Sequence, residues 1–318
     1  VVQVVNSLEN CKLLTHKNCM DGSSTVIAFL IAGGNVENVV FTNPNHDESD
    51  EKLRDIIEAG HSDIIVADCS ISHQLAKEID VVYENLNIVL LDHHKTAIPL
   101  AEFKWCNIDK ENTASGAMML YTYLRNKGFY DFCKGDTKAW DRFFNYVDDH
   151  DRWCKNYPEA EELAILHGII GQKIFIERFS IVRDDFDILN DEDKFLVKIE
   201  KNKIAEMIED KKREVKDFVV IKNIKGRDYR FGFIGGAGKF TSQIADALYL
   251  DPVLNLDVVV LVSAVAISLR CKKGSEVDLS ELAKLNLGGG HKAASGFLLS
   301  SLLGKSLVEY VSENMKLQ

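Results

Sequence analysis

Four short apolar runs, CKLLTH (11–16), VENVVFT (36–42), DIIVAD (63–68) and NIVLLDHH (87–94), constrain the first half of the chain more than any other feature. Each is nearly continuous in apolar residues, the pattern of a strand buried on both faces. Between them, residues 21–31, 48–59 and 72–83 carry apolar side chains at helical spacing. Strands alternating with helices predict a parallel sheet covered on both sides. In such sheets, ligands sit beyond the carboxyl ends of the strands. Polar residues stand there: His16 closes the first run, Asp68 the third, and Asp92, His93 and His94 the fourth.

From Thr113 to about Arg183 the pattern turns helical, with ASGAMMLYTYL and KAWDRFFNYVDDHDRW as its clearest segments. Residues 187–218 are a long, charged, glycine-free stretch, read as a solvated helix connecting two domains. Beyond it, strands near 218–224, 229–235, 257–263 and 265–271 surround a helix near 241–250. The fold class is therefore α/β. An N-terminal parallel-sheet domain over 1–185 is joined by a helical linker over 186–218 to a smaller α/β domain over 219–318. No internal repeat or low-complexity tract interrupts this plan.

Composition narrows the function classes. Hydrophobic residues are 46% and charged residues 27%, the balance of a soluble globular protein. No apolar run approaches the roughly 18–20 residues of a membrane span. The opening VVQVVNSLENCKLL lacks the basic region and long apolar stretch of a secretory signal. Seven cysteines, at 11, 19, 69, 106, 133, 154 and 271, include no CxxC pair. That argues against a disulfide framework or zinc ribbon and for a reducing, cytoplasmic setting. A net charge of −11 disfavours long nucleic acid, whose binding draws on counterion release at a basic face. An anionic substrate is expected to be small and drawn in by local cations.

Carboxylates and imidazoles at the ends of separate strands are the donors of a dinuclear hydrolytic site. One carboxylate must bridge two cations roughly 3.5–4 Å apart, and the other ligands must leave each cation open to substrate and water. Mixed oxygen and imidazole donors suit manganese first, with magnesium, cobalt, iron or zinc as alternatives. Asp68, His93 and His94, with Asp148, Asp149 and Asp151 of YVDDHDRW, supply such a set. Burying that many acids is costly unless cations pair with them. Taken singly, Asp21 or Asp68 would be a helix N-cap, HKNCMDGS a turn and YVDDHDRW an acidic helix end. The Asp92-His93-His94 triplet has no such ordinary structural use. Four such features in successive βα positions point to one site.

LLDHHKTA resembles the name-giving motif of the DHH phosphoesterase superfamily. THKNCMDGSST resembles its first motif, VADCSIS its second and YVDDHDRW its fourth. GGGHKAASGF (288–297) is similar to the hallmark of the DHH-associated C-terminal domain of RecJ-like nucleases, nanoRNases, pAp phosphatases and cyclic dinucleotide phosphodiesterases. The resemblance spans nearly the whole chain and implies an active site in the cleft between the two domains. It puts His16 on a first metal and Asp21 on a second, with Asp68 bridging them. His93 completes the second metal, His94 faces the scissile phosphate, and Asp92 orients the histidines. Asp149 is the expected ligand from the fourth motif, Asp151 the next choice and Asp148 the third. Cys19 stands where many members carry Asp. It is either a soft thiolate ligand, which would favour softer ions, or a small buried residue beside the site.

In the C-terminal domain, Gly288 to His291 are read as preceding a short helix. Backbone N–H groups at Gly289 and Gly290, with His291 beside them, would then cradle a phosphate. The resemblance makes Arg270, at the end of VAISLR, a partner for a substrate phosphate through its planar fork. Ser268 and Lys292 are weaker choices. FIGGAGKFT (233–241) is not a P-loop, because Phe233 replaces the first glycine and Phe240 the hydroxyl residue. The expected activity is two-metal hydrolysis of phosphodiester bonds in short oligonucleotides, releasing 5′-mononucleotides as a nanoRNase does. A pAp phosphatase or a cyclic or linear dinucleotide phosphodiesterase is the alternative, and a non-catalytic nucleotide-binding sensor or a pyrophosphatase ranks lower. Expected partners are a short oligonucleotide or small phosphorylated nucleotide, without long duplex DNA or membrane. A homodimer is compatible with this reading.

Overall fold

The computed structural model describes residues 7–43, 45–83, 86–130, 137–181, 187–224, 226–236, 238–272 and 274–299. Cys133 and the first six residues of the segment weighed as a signal lie outside the described residues. The chain divides into two compact units, 1–197 and 198–318. No helix among the described residues is long and apolar enough to cross a membrane.

In the first unit, β1 (Lys12–His16), β2 (Val39–Thr42), β3 (Asp63–Ala67), β4 (Asn87–Asp92) and β5 (Cys106–Ile108) form a wholly parallel sheet in the order β2-β1-β3-β4-β5. Crossover helices α1 (Met20–Ile31), α2 (His46–Glu58) and α3 (His73–Val82) link the first four strands. Leu14, Ile64, Val66, Ile88 and Leu90 share one core with Leu53, Ile56 and Ile57 of α2 and Leu75, Ala76 and Ile79 of α3. The intervening Leu13 and Ile65 are just as inaccessible, and strand alternation turns them to the opposite face. Burial on both faces is why these runs read as continuous. Because β1 lies between β2 and β3, the chain reverses direction across the sheet there. A crevice opens at such a switch point beyond the carboxyl ends of the strands, where β1 delivers His16 and β3 delivers Asp68.

In this unit the strands and helices expected from the sequence are present, with two adjustments. The run 36–42 begins as a turn of 3-10 helix, Val36–Asn38, because the Asn35 side chain accepts a hydrogen bond from the Glu37 N–H at 3.0 Å. The three-residue β5 carries no periodicity of its own and takes its strand geometry from pairing with β4.

Four further helices follow: α4 (Gly116–Asn126), α5 (Thr137–Asp151), α6 (Pro158–Phe179) and α7 (Asp191–Val215). The division between units falls inside α7. Gly171 interrupts α6 at φ 79° and ψ 161°, a conformation that glycine adopts readily. On α6, buried His167 meets Ser23 Oγ through Nε2 at 2.9 Å and packs edge-on against Phe175. Burial lowers its pKa from 6.5 to about 4. The unfolded chain thus binds this proton more readily, so His167 contributes stability above about pH 6.5 that is lost as pH falls towards 4. Melting temperatures should fall over that window by the equivalent of about 3 kcal/mol. A His167→Gln variant should show a flatter pH profile.

The second unit holds a six-stranded sheet in the order β10-β11-β9-β8-β7-β6. Its strands are β6 (Val219–Ile224), β7 (Arg227–Gly235), β8 (Val258–Val262), β9 (Ala266–Cys271), β10 (Gly289–His291) and β11 (Ala294–Leu298). All neighbours are antiparallel except β7 and β8, which α8 (Thr241–Tyr249) connects. A core from β8, β9 and β11 packs under Leu279 and Ala283 of α9 (Leu279–Leu285). One expectation is corrected here. The glycine run does not lead into a helix but forms β10, paired with β11 through Gly289 with Gly296 and His291 with Ala294. Its glycines serve close backbone approach. A Cβ on Gly288 would lie 2.1 Å from the Gly296 carbonyl oxygen, and Gly290 has φ 127° with its Cβ position 2.5 Å from the Ala294 oxygen.

Candidate metal centre

Strand ends and one tight turn assemble the site within the first unit. After β1 the chain passes through Asn18, at φ 64°, into α1. Cys19 is the N-cap of α1, its Sγ accepting a hydrogen bond from the Gly22 N–H at 3.1 Å. The same sulfur lies 3.1 Å from His16 Nδ1 and 3.6 Å from Asp68 Oδ2. Asp68 follows β3 in the left-handed region at φ 57°, which Asp and Asn tolerate better than most residues. Its two oxygens face different neighbours: Oδ2 is 3.8 Å from His16 Nδ1, and Oδ1 is 3.7 Å from His93 Nε2. His93 Nε2 is also 3.5 Å from Asp151 Oδ2. The donor groups that result include His16 with Cys19 and Asp68, Asp21 with His93 and Asp151, and Asp68 with Asp92, His93 and His94, the ligand atoms of each lying within 4.8 Å of one another.

The N-terminus of α4 closes the site from above Asp21. Both Asp21 oxygens accept from the Ala117 N–H, at 3.2 and 3.3 Å, so a free donor of the first helical turn meets a carboxylate. Gly116 permits this approach. A Cβ there would sit 2.5 Å from the Asp68 Cβ and 3.0 Å from Asp21 Oδ2. Sequence reasoning missed Gly116, because a glycine opening a helix has no mark that distinguishes close packing from an ordinary turn.

The two histidines of the triplet have different supports. Asp92 Oδ1 accepts from the His94 ring Nδ1–H at 2.7 Å and from the backbone N–H groups of His93 and His94 at 2.8 and 3.3 Å. The His93 ring instead meets Asn112 Oδ1 through Nδ1, at 2.8 Å. The expectation that Asp92 orients both rings is thus corrected to the ring of His94 alone. Asn112, missed in the sequence, sits in the loop after β5 at φ 53°. Its one available signal was an Asn in a turn-rich NTASG segment.

The fourth motif resolves into three separate tasks. Asp149 accepts from the Asn156 N–H at 2.9 and 3.1 Å and from the Tyr157 N–H at 3.4 Å, tying the loop after α5. Asp148 accepts from the Ser115 N–H at 2.7 Å and pairs with Arg152 at 2.6 Å. Asp151 is the acid brought to His93 and Asp21. Preference for Asp149 therefore does not match the geometry. Residues 148 and 151, three apart on α5, share a side, while 149 is turned roughly 100° from 148. Accordingly, Asp151→Asn should weaken manganese uptake in a calorimetric titration without lowering the metal-free melting temperature. Asp149→Ala should leave uptake intact and cost about 1 kcal/mol of stability by removing the acceptor of the part-buried Asn156 and Tyr157 N–H groups.

Charge crowding shows in the proton affinities. Burial raises the Asp21 carboxyl well above the usual range, and the Asp68 and Asp151 carboxylates add to it. Asp151, though its residue is exposed, is raised as well by partial desolvation of its carboxylate, with His93 opposing and Asp68 adding. For His93, burial disfavours the charge, but the nearby Asp68, Asp151 and Asp21 carboxylates overcome it and raise the pKa. Burial opposes charge on His94 too, yet Asp92 raises its pKa. His16 goes the other way, lowered by burial and so kept neutral. Burial holds the Cys19 thiol high, with Asp68 and Asp21 reinforcing it. Three carboxylates, two imidazoles and a thiol converge, and protons are retained where positive charge is short. Divalent cations replace such protons on carboxylates, imidazoles and thiols, so this donor set fits them.

The second unit holds the remaining expected residues. Arg270, on β9, sends Nη1 to the carbonyl oxygens of Leu269 and Ser295 at 2.9 and 3.3 Å. Burial lowers its pKa, and its buried Nε has no hydrogen-bond partner among the described residues. Gly289, Gly290 and His291 lie together on β10.

Fold and site define a two-unit α/β protein with a carboxylate–imidazole centre at the carboxyl edge of a parallel sheet. No family model matches the sequence. It is 28% identical over 246 residues to the oligoribonuclease NrnB of Bacillus subtilis (strain 168), a match that covers 73% of this chain and 58% of that relative. The chain thus spans less than two thirds of that relative's length. Among solved structures, the DHH domain of a protein described as a member of a family of ribosomal proteins superposes with a TM-score of 0.60 at 14% identity, covering 98% of this chain and 87% of that one. The exonuclease RecJ bound to manganese gives 0.52 at 12% identity, covering 92% and 86%. The chain shares the fold of these DHH-domain and RecJ structures.

Proposed function

We propose that the chain is a two-metal phosphodiesterase that hydrolyses short oligonucleotides to 5′-mononucleotides. The observation that carries this reading is Asp68, whose two oxygens face the His16–Cys19 pair on one side and His93 on the other. That is the arrangement of a carboxylate shared by two cations. His16 and Cys19 would hold a first ion and Asp21, His93 and Asp151 a second, with Asp68 common to both. Manganese is the first choice, with magnesium, cobalt, iron or zinc as alternatives, and a thiolate from Cys19 would favour the softer ions. When bound, such ions polarise phosphoryl oxygens and acidify water.

The chain's own groups supply the rest. His94 carries its proton on Nδ1 against Asp92, which leaves Nε2 to bear a second proton towards the phosphate or the leaving oxygen. Arg270, whose buried Nε has no hydrogen-bond partner among the described residues, is suited to a phosphate through its planar fork. Likeness to an oligoribonuclease supports a short nucleic-acid substrate. The test is to incubate the protein and manganese with a labelled 5′-phosphorylated dinucleotide, pAp, a cyclic dinucleotide and pyrophosphate. Release of mononucleotides from the dinucleotide is expected. Turnover of pAp or the cyclic dinucleotide alone would reassign the substrate. Nucleotide binding with fewer than two ions and no turnover would make the protein a sensor.

A further inference from the structure

We infer that Asn112 is a positioning residue for His93, fixing its imidazole so that Nε2 points at Asp68 and Asp151. The inference rests on the proposed metal centre and adds a residue to it. The two adjacent histidines, their rings 4.5 Å apart, receive partners of different charge. His94 has the Asp92 carboxylate on Nδ1, and His93 has the Asn112 carboxamide. A carboxylate increases an imidazole's hold on its protons, as a proton-bearing group needs. A neutral amide oxygen orients Nδ1–H without adding charge to a pocket that already contains Asp21, Asp68 and Asp151, as a neutral ligand needs.

The loop that carries Asn112 is built to hold it still. The Asp109 carboxylate accepts from the backbone N–H groups of Glu111 at 3.1 Å, Thr113 at 2.5 Å and Ala114 at 2.8 Å. Arg152, in the turn just after α5 and anchored on Asp148, donates Nη1–H to the Asn112 carbonyl oxygen at 3.3 Å. Asn112 takes φ 53°, a left-handed conformation for which Asn is among the least strained side chains after glycine. Asp148 also accepts from the Ser115 N–H, and Ser115 caps α4, whose next residue lies against Asp68. One carboxylate therefore braces both the loop that aims His93 and the helix end beside Asp68.

The test compares wild type with Asn112→Leu and Asn112→Asp. Two measurements are needed: manganese titration, and nitrogen NMR of the His93 ring in protein free of metal. Asn112→Leu should fold with an unchanged circular dichroism spectrum and lose about 10–100-fold in manganese affinity, the range for a partner behind a metal ligand. Its His93 Nδ1–H signal, protected from solvent exchange in wild type, should broaden or vanish. Asn112→Asp retains an acceptor and the left-handed turn, so it should restore the protected signal and recover part of the uptake that Asn112→Leu loses, the added charge withholding the rest. A folded Asn112→Leu protein with wild-type affinity and a protected Nδ1–H would overturn the assignment. If wild type takes up no manganese, the metal-centre reading fails by itself, and the NMR comparison still decides whether Asn112 holds the ring.

Discussion

Asp68→Asn is expected to abolish paired metal uptake and to reduce phosphodiester turnover by more than the roughly 10–100-fold that loss of a supporting residue causes. The substitution isolates charge from shape. Asn accepts the left-handed φ of 57° as readily as Asp, so the backbone beside Gly116 need not move. What disappears is the charge that both donor groups share: the neutral amide still offers Oδ1 but puts a nitrogen in place of the second oxygen. Each ion bound at 100 times its dissociation constant adds about 2.7 kcal/mol to wild-type stability, so added manganese should raise the wild-type melting temperature. The variant should show no comparable rise, and titration calorimetry should find at most one ion. Two ions bound as tightly as in wild type would remove Asp68 from the centre.

Gly22→Ala should damage the fold and the site together. A Cβ at this position would lie 2.0 Å from the His16 carbonyl oxygen and 2.9 Å from its carbon. Both are backbone atoms of β1, so no rotamer change relieves the contact. Overpacking ordinarily costs about 1–3 kcal/mol, and an obstacle made of backbone puts this case at the upper end or beyond. Relief requires α1 to withdraw from β1, which carries Asp21 and the Cys19 cap away from His16 and Asp68. Denaturant melts should show the stability loss, and metal titration a weaker ion at the His16–Cys19 side. An unchanged melting curve would mean that the turn has slack that its geometry does not indicate.

Much of the first unit was legible because its central strands β1, β3 and β4 are buried twice over. Burial on both faces writes a continuous apolar run, and the crossovers between such runs write helical spacing, so β1 to β4 and α1 to α3 could be placed within a few residues. Strand ends then located His16, Asp68 and His93, since side chains at the carboxyl edge are where a parallel sheet presents polar groups. Helical positions were harder. Three acids in YVDDHDRW are equivalent as text, and only the rotation of α5 about its axis sends Asp151 to His93 and Asp149 into the following loop. The GGGH run misled on its secondary structure, because glycines that let two strands approach look the same as glycines that open a helix.

By itself, then, the sequence determined the α/β class, the strand order of chemistry along the first half, and the kinds of donor that meet at the sheet edge. Those are consequences of periodicity and residue type, which neighbouring positions encode. Tertiary structure alone decided which partner each group received: Asn112 rather than Asp92 behind His93, Asp151 rather than Asp149 beside it, Gly116 against Asp68. His93 and Asn112 stand 19 positions apart, and Asp21 and Ala117 stand 96 apart. Pairings over such separations depend on helix rotation and loop conformation, set by packing over the whole unit rather than by any local pattern.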